Sequence, residues 1–177
     1  MNPHPPNATF PIIVSACLLG VRCRYDGISK PSDELLTLAR RYWLVPVCPE
    51  QLGGLPTPRP RHEIFHGRVV SEHGDDSTDI FERGAREVVM LAELLDARMA
   101  ILKARSPSCG RGLVHDGTFS GRLTNGDGVL AAMLLRDGCE VYSEEDLESV
   151  AGVLEQHRLA FEDDSKCAVD PSPNRFL

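Results

Sequence analysis

The chain has 177 residues, of which 42% are hydrophobic and 25% charged, and its formal net charge is −7. This length and apolar content suit one globular domain of about 150 residues with short extensions. The acidic balance argues against duplex nucleic acid as a partner, and no apolar run approaches the roughly 18 residues of a membrane span. We therefore expect a cytoplasmic protein that acts on a small molecule.

Taken in chain order, apolar runs and turn residues predict alternating strands and helices. Strands are predicted at 11–17, 43–47, 99–103 and 139–142, and helices at 33–41, 79–96, 128–136 and 144–156. Between them, the pattern predicts a loop at 49–54, a small hairpin or irregular arm at 63–70 and turns at 115–121. This alternation is typical of a mainly parallel sheet of about four to five strands with helices on both faces, a Rossmann-like α/β fold.

The same pattern predicts how the chain is organised. The first ten residues are rich in Pro and polar, so we expect a flexible N-terminus at 1–10. A single α/β domain is predicted at 11–157, followed by a C-terminal tail at 158–177.

Three cysteines lie at or just beyond the ends of the first three predicted strands, each near Pro or Gly. Cys17 ends the first strand, Cys48 comes directly after the second, and Cys109 lies in a turn soon after the third. Because the carboxyl ends of parallel strands meet at one edge of a sheet, where ligands bind, we expect these thiols to lie together. Cys139 and Cys167 are interpreted as ordinary free thiols.

Three converging thiolates form a metal site with one open position. Zinc with three protein ligands fits this description, and so does an iron–sulfur cluster with one non-cysteine position. A zinc-binding or regulatory module without catalysis is one alternative. Another is a metal-free sulfurtransferase or redox protein that uses Cys109 as its nucleophile. The residues alone leave this choice open.

Polar side chains accompany two of the cysteines. Glu50 lies two residues after Cys48, and Ser106 lies three before Cys109, so an acid and a hydroxyl are expected beside the site, where they could move protons. Three other residues are candidate contacts to a substrate: Arg59, Lys103 and Ser108.

Four ordered motifs resemble those of the bacterial thiouracil desulfidases, a family long described as a domain of unknown function. They are SACLLGVRCRYDG from residue 15, CPEQLGGLPTPRPRHEI from 48, ILKARSPSCG from 101 and HDGTFSG from 115. The resemblance runs from about residue 12 to about residue 145. The chain departs from the family pattern at Ser77, His115 and Leu130, and we expect the last two to affect the substrate pocket.

The resemblance implies a cofactor and a reaction. It implies a [4Fe-4S] cluster held by Cys17, Cys48 and Cys109, with the fourth iron free to take the sulfur of a substrate. The implied reaction is the non-redox desulfuration of thiouracil or a related thiolated pyrimidine, with release of hydrosulfide. Glu50 and Ser106 fall on the catalytic residues of the family. The oligomeric state and the preferred thio-compound are not implied.

Overall fold

A four-stranded parallel sheet forms the centre of the structure, a computed structural model that describes residues 10–156. The strands are β1 (Pro11–Ser15), β2 (Trp43–Val47), β3 (His62–Phe65), β4 (Arg68–Ser71), β5 (Met99–Leu102), β6 (Leu113–His115), β7 (Leu123–Asn125) and β8 (Glu140–Ser143). The helices are α1 (Asp33–Leu38), α2 (Pro49–Leu52), α3 (Thr78–Leu94) and α4 (Val129–Arg136), with a 3-10 turn at Ala16–Leu19 and helical residues at 147–156. The sheet order is β2-β1-β5-β8, and β3–β4 and β6–β7 are separate antiparallel pairs.

The sheet is covered on both faces because its central strands are apolar throughout. Every residue of β1 and β5 is buried. One face packs against α3 and α4, with Ile13 and Leu102 in that core, and the other packs against α1 and residues 147–156, with Ile12 and Ile101 in that core. Because both faces of these strands are buried, their sequences are continuous apolar runs and do not alternate between apolar and polar residues. The prediction of a Rossmann-like α/β fold is confirmed.

One local prediction was wrong, and one strand pair was not predicted. Residues 49–54, predicted to be a loop, begin with the short helix α2, because Pro49 occupies the first helical position, where its fixed φ suits a helix and its missing N–H costs nothing. The turns predicted at 115–121 are the connection of the β6–β7 pair. All of β7 and two of the three residues of β6 are exposed or half-buried, so the pair carries little apolar signal.

The edges of the predicted segments differ slightly from the structure. The first strand ends at Ser15, so that Cys17 lies in the 3-10 turn, and the helix predicted from 144 begins at 147. Phe10, assigned to the N-terminal segment, is buried with its ring 6.2 Å from that of Tyr42. Residues 1–9, the predicted tail 158–177 and Cys167 lie outside the described residues. None of the helices within 10–156 is long and apolar enough to span a bilayer.

Helices α2 and α3 touch where glycine is required. A Cβ built on Gly84 would lie 1.8 Å from the carbonyl oxygen of Pro49. We expect Gly84→Ala to lower the free energy of unfolding by about 1–3 kcal/mol, the usual cost of overpacking, because backbone cannot move aside as a side chain does. Urea unfolding of the metal-free protein measures this. Gly152→Ala is the matched control, since its Cβ would meet nothing within 4 Å, and equal stability of the two variants would contradict the prediction.

Candidate functional site

A cavity of about 290 Å³ lies at the carboxyl ends of β1, β2 and β5. From β1 the chain passes to β2 on one side and later returns to β5 on the other, so this edge is the topological switch point where ligands bind in open α/β sheets. The volume is at the small end of the range for ligand sites, so it suits a compact group.

Four thiols line this cavity. Cys17 sits in the 3-10 turn after β1, Cys48 precedes α2 as its N-cap residue, and Cys109 lies in the turn after β5. The fourth, Cys23, lies in the loop that follows the 3-10 turn. The structure therefore brings the three predicted cysteines to one place and adds a fourth that the sequence analysis did not select.

The surroundings of Cys23, Cys48 and Cys109 raise the pKa of each thiol and so favour its protonated form. Burial raises the pKa of Cys109 to about 12, and the charge of nearby Glu50 acts in the same direction. A hydrogen bond with the Cys23 thiol, followed by burial, raises the pKa of Cys48. Because thiols bind metal as thiolates, loading of a metal at this site must release protons to solvent.

The turn that carries Cys109 is organised by Ser106. The Ser106 Oγ accepts hydrogen bonds from the backbone N–H groups of Ser108 at 3.1 Å and Cys109 at 3.2 Å, and the Ser106 carbonyl accepts from Gly110 N–H at 2.8 Å. The hydroxyl also interacts with the Cys109 thiol, an interaction that lowers the thiol's pKa against the effect of burial. Ser106 lines the cavity, so its hydroxyl is held beside one of the sulfur donors.

Glu50 is held in the cavity wall by Arg59. The Arg59 Nε donates to Glu50 Oε2 at 2.7 Å, and the Arg59 side chain is only 2% exposed. Its other two guanidinium nitrogens donate to the Pro56 carbonyl and Thr57 Oγ1, and to the Cys23 carbonyl at 2.9 Å. Since every nitrogen of this guanidinium already has a protein acceptor, Arg59 is better described as a positioning residue than as the substrate contact predicted from the sequence.

The other two candidate substrate contacts have different positions. Lys103 lines the cavity, and its ammonium pairs with the carboxylate of Glu144. Ser108 is 1% exposed, does not line the cavity, and has an Oγ without a hydrogen-bond partner among the described residues. Lys103 therefore remains a candidate substrate contact, and Ser108 is no longer one.

Basic side chains outnumber acidic ones in the lining of the cavity, although the whole chain is acidic. Glu50 is the one carboxylate among the lining side chains described, against six cationic ones: Arg24, Lys30, Arg59, Arg61, Lys103 and Arg105. Five of the six form ion pairs with carboxylates, so the lining carries little unbalanced charge. The four buried or half-buried thiols suit the soft iron of an iron–sulfur cluster. No group of three or more His, Cys, Asp or Glu within 10–156 converges closely enough to hold a single metal ion. The ligands of a cluster bind separate iron atoms and do not need to converge in that way.

Sequence reasoning missed Cys23, and it interpreted four histidines, His62 and His115 among them, as solvated loop residues. The only signal for Cys23 was its position six residues after Cys17. His62 is instead a buried residue of β3 that lines the cavity, and His115 lines it as well. Leu130, also expected to affect the pocket, is fully buried in the core and does not line it.

Burial lowers the pKa of His62, whose Nδ1 lies 2.9 Å from the Pro60 carbonyl oxygen and whose Nε2 lies 3.0 Å from Ser77 Oγ. Below its ordinary pKa of 6.5, His62 takes up a proton in the unfolded chain but resists protonation in the folded one. The contribution of this histidine to the free energy of unfolding should therefore be fully present above that pH and be lost below it. We expect the metal-free protein to lose stability more steeply between about pH 7 and pH 5 than His62→Phe does. Urea unfolding across this range measures the difference, and parallel curves would refute it.

Comparison with known proteins identifies relatives over most of the chain. A family model described as 2-thiouracil desulfurase matches residues 12–146. The protein YbbK of Bacillus subtilis (strain 168), which carries no functional name, is 39% identical over 149 residues, covering 78% of this chain and 99% of YbbK. A solved structure described as the [4Fe-4S]-dependent thiouracil desulfidase TudS is 44% identical, with a TM-score of 0.79, and the match covers 83% of this chain and 99% of TudS.

Proposed function

The chain belongs to the 2-thiouracil desulfurase family, and on this premise we propose how its cavity performs an iron–sulfur desulfuration. It is an enzyme that converts thiouracil and water into uracil and hydrosulfide, so oxygen replaces sulfur on carbon without net oxidation or reduction. The observation that carries the proposal is the cavity at the switch point, where thiols, one carboxylate and the Ser106 hydroxyl meet at three strand ends.

We propose that Cys17, Cys48 and Cys109 hold the [4Fe-4S] cluster. Support comes from their placement on three adjacent strand ends around one cavity, where buried or half-buried thiols suit the soft iron of a cluster. When bound, such a cluster supplies one iron without a cysteine ligand, which is a soft acceptor for a thione sulfur.

Glu50 is proposed to take a proton from the water that attacks carbon. Its carboxylate lines the cavity, and the buried Arg59 guanidinium fixes one oxygen, so that the carboxylate is oriented before the substrate arrives. A general base must be held within hydrogen-bond reach of the proton it removes, and this ion pair supplies that restraint.

Ser106 is proposed to relay a proton to or from the pyrimidine ring. Its oxygen already accepts two backbone N–H groups, so the hydroxyl acts as a donor, and its present partner is the Cys109 sulfur, which it would exchange for the ring. Lys103, on the same cavity, is proposed to contact the polar edge of the ring. We place this activity in the cytoplasm, because free thiols persist in a reducing compartment.

The proposal is tested by anaerobic reconstitution with ferrous iron and sulfide. We expect about four irons and four acid-labile sulfides per chain, and hydrosulfide release from 2- or 4-thiouracil by the loaded protein only. About one zinc with no iron would favour a zinc-binding module, and turnover by metal-free protein would favour a thiol sulfurtransferase. Either result would contradict the proposal.

Arg59→Lys tests whether Arg59 positions Glu50. Lysine keeps the charge but loses the planar fork, so we expect kcat to fall roughly tenfold to a hundredfold while KM changes little. The same change should have little further effect in a Glu50→Gln background, because a residue that acts through Glu50 has nothing left to position. Steady-state kinetics of the two single variants and the double variant, compared at equal iron content, measure this double-mutant cycle. If the fold-losses in kcat of the single variants multiplied in the double variant, Arg59 would act independently of Glu50.

A further inference from the structure

One thiol of the cavity has no part in the proposed reaction. Cys23 follows Cys17 by six residues, is 1% exposed, and lines the same cavity as the three proposed ligands. Cys139, by contrast, precedes β8, at the opposite end of the parallel sheet, and does not line the cavity. Cys23 is therefore a sulfur donor in excess of the three that the cluster requires.

Cys23 touches two of the three proposed ligands. Cys17 and Cys23 belong to one buried cluster, and Cys48 packs against it. The Cys48 thiol donates to the Cys23 carbonyl, with 3.7 Å between Sγ and oxygen. Interaction with the Cys17 thiol raises the pKa of Cys23, to about 11, while interaction with Cys48 lowers it. The three cysteines thus lie together on this side of the cavity.

The backbone holds this arrangement in place. Arg59 donates to the Cys23 carbonyl at 2.9 Å, and the Arg59 N–H donates to the Tyr25 carbonyl at 2.8 Å, which ties the loop to the segment that carries Glu50. On the other side, the Lys30 N–H donates to the Cys17 carbonyl at 2.9 Å. Cys23 is therefore fixed beside its two neighbours by contacts outside the thiols.

Cys109 has different neighbours. It follows β5, on the other side of β1 from β2, and its thiol interacts with the hydroxyls of Ser15 and Ser106 and with the proposed ligand Cys48, but not with Cys23. A spare thiol beside Cys17 and Cys48 would be placed to replace either of them as a ligand, whereas Cys109 has no spare thiol beside it among residues 10–156.

We infer that Cys23 is a reserve ligand of the cluster site, able to take over iron from Cys17 or Cys48 but not from Cys109. This inference rests on the proposed function. Ligand exchange replaces one iron–thiolate bond by another and moves one proton from the incoming thiol to solvent or to the outgoing thiolate, so it needs no oxidant or reductant. It adds a metal-ligating role for Cys23 to the three ligands proposed above.

The test measures iron and acid-labile sulfide after anaerobic reconstitution with ferrous iron and sulfide. Cys17→Ala and Cys48→Ala should each keep at least about half of the wild-type iron, and adding Cys23→Ala to either should reduce it to roughly a tenth or less. Cys109→Ala should lose the cluster whether or not Cys23 is present. The single variants Cys23→Ala and Cys139→Ala should both retain wild-type iron.

The comparison of single and double variants is made twice, once at Cys17 and once at Cys48. Circular dichroism of the metal-free protein shows whether each variant folds, and if one does not, the other comparison still tests the inference. Loss of iron from both single variants, with Cys23→Ala fully loaded, would overturn the inference while leaving the proposed function intact. Loss of iron from Cys23→Ala alone would make Cys23 a resident ligand and also overturn it. A wild-type protein that binds no cluster would overturn the proposed function and this inference together.

Discussion

Cys109→Ala is expected to remove the cluster and all desulfuration. Cys109 stands alone among the proposed ligands in lacking a neighbouring spare thiol, and its turn is held together by hydrogen bonds to the Ser106 hydroxyl and carbonyl. Loss of one of three thiolates leaves two iron–thiolate bonds, which we expect to be too few to retain an exposed cluster, so iron should fall to less than about a tenth of the wild-type content. Iron, sulfide and hydrosulfide release are measured on the same anaerobic sample.

Cys139→Ala is the matched control, because Cys139 is equally buried but lies in the core before β8. The control should load and turn over like the wild type. If Cys109→Ala bound a full cluster and retained turnover, both the proposed ligand set and the role of this turn would be wrong.

Glu50→Gln is expected to lower kcat by about 10²–10⁴ while leaving the iron content unchanged, the usual effect of losing a general base. Glutamine has the same shape, and its carbonyl oxygen can still accept the hydrogen bond from Arg59 Nε, so the cavity should keep its form. What the variant lacks is the ability to take up a proton. Single-turnover release of hydrosulfide from thiouracil separates this loss from any change in substrate binding.

An exposed carboxylate on α3, Glu87, provides the control, since Glu87→Gln removes the same charge far from the cavity wall. Full turnover by Glu50→Gln with an intact cluster would mean that another group accepts the proton. A loss of iron together with activity would instead show that Glu50 supports the cluster rather than the proton transfer.

Much of the fold could be read from local pattern. The apolar runs of β1 and β5 are buried on both sides, so their continuous hydrophobicity signalled internal parallel strands. Helix α1 begins at Asp33, the first residue of the predicted helix 33–41, and the Ser32 oxygen caps it by accepting from Leu35 N–H. The β6–β7 pair was missed because its short strands have little apolar surface to bury.

The sequence by itself determined which thiols, carboxylate and hydroxyl stand at the ends of the strands, because strand ends follow from local periodicity and parallel order follows from the βα alternation. Only the tertiary structure decided which groups meet there. Arg59 reaches Glu50 and the carbonyl of Cys23, 36 residues away, and Cys23 turns back onto Cys17 and Cys48. Such contacts depend on how two irregular loops cross the sheet edge, and irregular loops have no periodicity from which their path can be inferred.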